Sequence, residues 1–187
     1  MNPYFRNEKC TIYNASCENV LSSLGRFDLL LTSAPQYPAG LSDENKSRMT
    51  AGRGLAAQST PVGKFADAEL LLAIEMADSA IVWRPERHKL SDGKLLEWSC
   101  GKQPISSAWH NISSPQMIAW GPVPENDPVR MFKQCIQIAP NADKILDPFM
   151  DIGDVLMAAM KLRRQFVGIE INQLRCDQAI SRLLANQ

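Results

Sequence analysis

The apolar positions of the chain follow strand rhythm and helix rhythm in alternation, most clearly toward the C-terminus. Lys144–Asp147 reads as a strand and Gly153–Leu162 as a helix with Val155, Leu156, Ala159, Met160 and Leu162 on its apolar side. Phe166–Ile171 reads as a second strand and Leu174–Leu184 as a closing helix. Such a β-α-β-α run builds a parallel sheet. Upstream, Phe27–Thr32 is a continuous apolar run, as suits a parallel strand covered on both faces. Thr11–Asn14, Ala80–Trp83, Lys94–Trp98 and Met117–Trp120 are further strand candidates, and the stretch between the last two reads as turn-rich. A brief helix is predicted over Ser16–Leu24, closed by Gly25. Further helices are predicted over Phe65–Ala77 and over Val129–Ile138, the latter entered through Pro128. Ser33–Lys64 has little periodicity and much Gly, Ser, Pro and charge; it reads as a long, partly mobile loop, of the kind that is usually functional or disordered.

The pattern predicts one α/β domain over residues 1–187, and the length of 187 residues agrees. Charge removes some functions. Twenty basic and 20 acidic residues balance, so nucleic-acid binding does not follow from bulk charge and needs a local basic patch. Three small ones exist: Lys46, Arg48 and Arg53; Arg84, Arg87, His88 and Lys89; Lys161, Arg163 and Arg164. Each alone reads as solvated surface. Five cysteines at irregular spacing, with no Cys-x-x-Cys pair, form neither a disulfide framework nor a zinc site. His88 and His110 have no ligand partners at metal spacing, so no metal is expected. The four tryptophans read as core. No signal peptide and no apolar run of membrane-spanning length is visible, so the expected setting is the cytoplasm, with no membrane partner.

The chemistry sits at two strand ends. Asp147-Pro-Phe-Met-Asp-Ile-Gly153 is a strand end, a tight turn and a helix start, and Gly168-Ile-Glu170 ends the next strand. That is the spacing of a first βαβ unit, in which the turn lies under a ligand and the second strand's terminal acid accepts hydrogen bonds from ribose hydroxyls. Glu170 is the candidate for that acid, beside a strand-end acid facing solvent as the plainer reading. The stretch Ile145–Leu183 resembles the cofactor region of the β-class DNA amino-methyltransferases, where Asp-Pro-Phe-x-Gly-x-Gly-Thr is followed by a helix, Gly-Ile-Glu, and a helix carrying Cys and Ala. The match is at Asp147, Pro148, Phe149, Met150, Gly153, Gly168, Ile169, Glu170, Cys176 and Ala179. The resemblance implies a Rossmann-like S-adenosylmethionine-dependent methyltransferase fold, a mostly parallel twisted sheet flanked by helices. It also implies S-adenosylmethionine as cofactor, held by Asp147, Phe149, Gly153 and Glu170. Two positions depart: Asp151 stands for the first glycine and Asp154 for the threonine. Asp151 is expected to crowd the ligand, repel its carboxylate and cap the helix that starts near Gly153, which predicts weakened or absent cofactor binding.

The second strand end is Thr32-Ser-Ala-Pro-Gln-Tyr37, which resembles the family's catalytic Asp/Ser-Pro-Pro-Tyr turn. By that resemblance Ser33 orients the exocyclic amine, Pro35 stiffens the turn and Tyr37 stacks on a base flipped out of DNA. Ala34 replaces a proline, Gln36 holds the aromatic position, and Tyr37 comes one residue late. Catalytic turn before cofactor turn is the β-class order. Phe65–Glu69 and Asp127–Arg130 also resemble family segments, with Asp127 where a lysine is usual. The implied function is methyl transfer to an adenine or cytosine amino group of DNA. The alternative is a catalytically inactive binding module contacting DNA, a protein partner or a second copy of the chain. Both need Ser33 and Gly153 at the same end of one parallel sheet.

Overall fold

The computed structural model describes residues 1–33, 67–85, 88, 90, 92–100, 103–113, 115, 127–139 and 141–186. In chain order the elements are β1 (Phe5–Arg6), β2 (Cys10–Asn14), α1 (Glu18–Leu21), β3 (Phe27–Thr32), α2 (Asp67–Glu75), β4 (Ala77–Trp83), β5 (Lys94–Cys100), β6 (Gln103–His110), α3 (Pro128–Ile138), β7 (Lys144–Asp147), α4 (Asp154–Lys161), β8 (Gln165–Glu170) and α5 (Gln173–Leu184). Among the described residues the strands form one eight-stranded sheet, in the order β1-β2-β8-β7-β3-β4-β6-β5. The five strands from β2 to β4 in that order run parallel; β1, β6 and β5 add antiparallel edges. Ser33 and the turn after Asp147 therefore lie at the same, carboxyl end of the sheet.

Alternation at period two explains the layering. Leu29 and Leu31 of β3, Ile81 and Trp83 of β4, Ile145 of β7 and Phe166 of β8 pack on α3, α4 and α5. Leu30, Ala80, Val82, Leu146 and Ile169 point the other way, onto α1 and α2. Both faces of the parallel strands are thus covered, which is why these segments read as near-continuous apolar runs. From β7 the chain crosses by α4 to β8 on one side; from β3 it crosses by α2 to β4 on the other. The boundary between β7 and β3 is a topological switch point, and in open α/β sheets ligands bind outside the carboxyl ends of the strands there.

Several expectations are corrected. The stretch before His110, read as turn-rich, carries strand β6, paired with β5 from Cys100↔Gln103 to Lys94↔His110. Its Pro and Ser residues mask the pattern, and Pro104 is accommodated beside the register irregularity at Trp98/Ser99. Helix α1 spans only Glu18–Leu21, and β4 begins at Ala77, three residues earlier than expected. The Met117–Trp120 strand and residues 34–64 of the expected loop lie outside the described residues. Trp83 and Trp109 are core, Trp83 edge-on to Phe132. Cys10, Cys17, Cys135 and Cys176 are buried free thiols. No described helix is long and apolar enough to cross a membrane.

Candidate functional site

Strands β3 and β7 are joined at their ends by a buried side-chain bond. The Thr32 hydroxyl donates to Asp147 Oδ1 at 2.7 Å, and both residues are buried. The same Asp147 oxygen accepts from the Phe149 amide at 3.2 Å, so the carboxylate also shapes the first step of the turn. Burial pushes the Asp147 carboxyl up to about 7, against the Thr32 and Phe149 hydrogen bonds that pull it down; Glu170 and Asp154 add to the rise. Its proton therefore exchanges near neutral pH.

The turn then folds back on β8. The Met150 amide donates to Ile169 O at 2.9 Å and the Gly153 amide to Met150 O at 3.0 Å. Gly168 makes this possible, because a Cβ there would stand 2.7 Å from Phe166 Cε1 and closer still to Met150 Sδ. Gly153 takes φ +82, and its absent side chain lets α4 approach Ala179 of α5. Asp151 takes φ +52, so it keeps the left-handed backbone that a glycine would supply there.

Glu170 closes the site at the end of β8. Its Oε2 accepts from the Asp151 amide at 3.0 Å and its Oε1 from the Asn172 amide at 2.8 Å. Asn14 donates from Nδ2 to Glu170 O and Ile171 O, and Asn172 caps α5 by accepting from the Arg175 amide.

The acids that depart from the family pattern are paired. Asp151 forms an ion pair with Arg175. Asp154 pairs with Arg182 at 2.7 Å, and Arg182 also donates to Ile152 O at 2.6 Å. The expected Asp151 cap is not formed. The N-cap of α4 is Gly153, with no side-chain cap bond, because Asp151 sits two residues ahead and its carboxylate is engaged by Arg175. The positive end of α4 at the turn is thus not closed by a side chain.

Asp147, Phe149 and Gly153 lie in the turn after β7, and Glu170, at the end of β8, meets it through the Asp151 amide. Ser33 follows Thr32 directly and is exposed at the same edge. Pro35 and Tyr37 lie outside the described residues. Of the basic patches, Lys46, Arg48, Arg53, Arg87 and Lys89 lie outside as well. His88 is withdrawn from its patch: its side chain is buried and bonded to Asp67 at 2.9 Å, tying the segment after β4 to α2. Lys161, Arg163 and Arg164 lie at the amino end of β8, opposite the site, where Arg164 pairs with Asp143. Asp127, where a lysine is usual, caps α3 by accepting from the Arg130 amide.

Thr32, Asn14, Asn172, Arg175 and Arg182 were not singled out from the sequence. Asn172 carries a local signal, an Asn just before an apolar-periodic helix. Arg175 and Arg182 are seven residues apart, two turns along one helix face, but their meaning requires knowing which turn that face meets.

The model of the family described as DNA methylase matches residues 72–181. No curated protein sequence matches. Among solved structures, M1.HpyAVI is similar at 13% identity and a TM-score of 0.58, over 93% of this chain and 98% of its own. TTHA0409 of Thermus thermophilus, solved with S-adenosyl-L-methionine, is similar at 13% identity and a TM-score of 0.57, over 95% of each chain. The cytosine-N4-specific PvuII DNA methyltransferase is similar at 11% identity and a TM-score of 0.60, over 99% of this chain and 90% of its own. At such identities the structural likeness shows a shared fold.

Proposed function

The chain belongs to the DNA methylase family, and from that membership we propose that it binds S-adenosylmethionine and methylates an exocyclic amine of adenine or cytosine in DNA. The observation that carries this reading is the Thr32–Asp147 bond, which sets Ser33 beside the Asp147–Gly153 turn at the switch point of the sheet.

The residues present fit the cofactor. Glu170 is a buried acid at the carboxyl end of β8, where the ribose-binding acid of a first βαβ unit stands. The α4 N-terminus has no side-chain cap. Asp151 keeps the backbone the turn needs, and its charge is balanced by Arg175. When bound, S-adenosylmethionine supplies a methyl group on a positively charged sulfur, open to attack by an amine lone pair. In this proposal Asp147, Phe149, Gly153 and Glu170 hold it. Ser33 accepts a hydrogen bond from the exocyclic amine and so aims its lone pair, Pro35 stiffens the turn, and Tyr37 stacks on the flipped base.

A second reading, an inactive module that contacts DNA or a protein partner, is favoured by one sequence feature: Ala34 and Gln36 replace a proline and an aromatic in the catalytic turn. Titration calorimetry with S-adenosylmethionine, paired with methyl transfer to mixed-sequence DNA, separates the two. Micromolar binding with transfer supports the enzyme, and binding without transfer supports the module. No binding at millimolar cofactor overturns the cofactor assignment.

A further inference from the structure

Resting on that reading and going one step beyond it, we propose that Thr32 is a positioning residue that transmits cofactor occupancy to the catalytic turn. Thr32 ends β3 and immediately precedes Ser33. Its hydroxyl donates to an oxygen of Asp147 that also accepts from the Phe149 amide. One carboxylate oxygen is thus shared by the last residue before the catalytic turn and the second residue of the cofactor turn. The two strand ends are separated by 115 positions in the chain, and the bond is sealed from solvent, with Thr32 fully buried and Asp147 2% exposed. A shift of the cofactor turn that moves Phe149 must reposition this oxygen and therefore Thr32. The β3–β7 ladder stops short of this point, at Leu30↔Leu146, so the side-chain bond extends the connection beyond the backbone pairing.

Thr32→Val keeps the shape and removes the donor; Thr32→Ser keeps the donor. The readouts are cofactor affinity by calorimetry and hydrogen exchange of the Ser33 amide by NMR, with and without S-adenosylmethionine. In the unaltered protein the cofactor is expected to change exchange at Ser33. In T32V that response is expected to disappear and affinity to fall a few-fold, because the two turns no longer move together. T32S is expected to restore both. Should T32V not fold because the buried carboxyl loses its donor, Thr32→Cys, which keeps only a weak donor of similar size, is expected to show a reduced response and an intermediate affinity, and a full response there overturns the role of the hydroxyl. A Ser33 response that persists in T32V, or one that T32S fails to restore, overturns the role of the hydroxyl. If the unaltered protein does not bind the cofactor, the functional reading fails along with this one, so the two failures are told apart.

Discussion

The carboxylate of Asp151 and the guanidinium of Arg175 form an ion pair across the turn between β7 and α4. The acid stands where the family pattern has glycine, and the base comes from the first turn of the last helix. The pair is partly open to solvent, at 17% for Arg175 and 53% for Asp151, so it adds at most about 1 kcal/mol to stability. Its consequence is electrostatic: the negative charge that the sequence sets at the cofactor turn is balanced locally.

Removing either partner is expected to change cofactor affinity in opposite directions. Asp151→Gly keeps the left-handed turn available and takes away the acid facing Arg175, so the turn gains net positive charge and S-adenosylmethionine binds several-fold tighter. Arg175→Ala leaves an unbalanced anion, and affinity drops by roughly tenfold. Calorimetry on both variants checks this; shifts of the same sign would remove the charge-balance argument.

Asp147 makes stability depend on pH. Its carboxyl is held at about 7 in the folded protein against 3.8 as its ordinary value. Between those values the folded state holds a proton that the unfolded chain has released, so stability falls as pH rises from about 4 to 7. The full contribution is at most about 4 kcal/mol. Asp147→Asn removes this titration. Urea denaturation at pH 5 and pH 8 is expected to show a smaller loss in D147N than in the unaltered protein; equal losses would contradict the burial argument.

The two glycines at positions 25 and 153 are expected to respond differently to alanine. A Cβ at Gly25 meets nothing within 4 Å, whereas Gly153 has φ +82 and its Cβ would stand 3.0 Å from Ala179 Cβ. Gly153→Ala is expected to destabilise by about 1–3 kcal/mol and G25A to be near neutral. Thermal denaturation of the two, side by side, provides the comparison.

Asn172 both caps α5 and directs its amide to Glu170. Asn172→Ala removes only the side chain, so the amide contact to Glu170 is retained while the cap is lost. A destabilisation of about 1 kcal/mol is expected, with cofactor affinity nearly unchanged. A large affinity loss in N172A would mean that the cap also positions the Glu170 carboxylate.

The parallel centre of the fold was legible because strands such as Leu29–Leu31 and Phe166–Ile169 are buried on both faces and leave a dense apolar trace. Strand β6 was not, because it is held by its antiparallel partner rather than by its own composition of Pro and Ser. The cofactor turn was legible as a spacing, with Asp147, Gly153 and Glu170 in their expected places. The partner of Asp151 was not legible, since a local reading gives its nearest helix terminus and the actual partner, Arg175, lies in α5. Thr32 stayed hidden for the same reason. A threonine ending an apolar strand has nothing to mark it until β7 is laid alongside.

The sheet order has a bearing on how the molecule comes into being. Strand β2 lies against β8, in the register Cys10↔Phe166 to Asn14↔Glu170. It has no neighbour on that side until β8 is in place, 156 positions later in the chain. Helices α1 and α2 can form early, but the crevice cannot close until the last βα unit slots between β2 and β7. Such long-range pairing makes assembly slow and leaves that edge of β2 uncovered in the meantime, so the folding chain is most vulnerable to wrong pairing there.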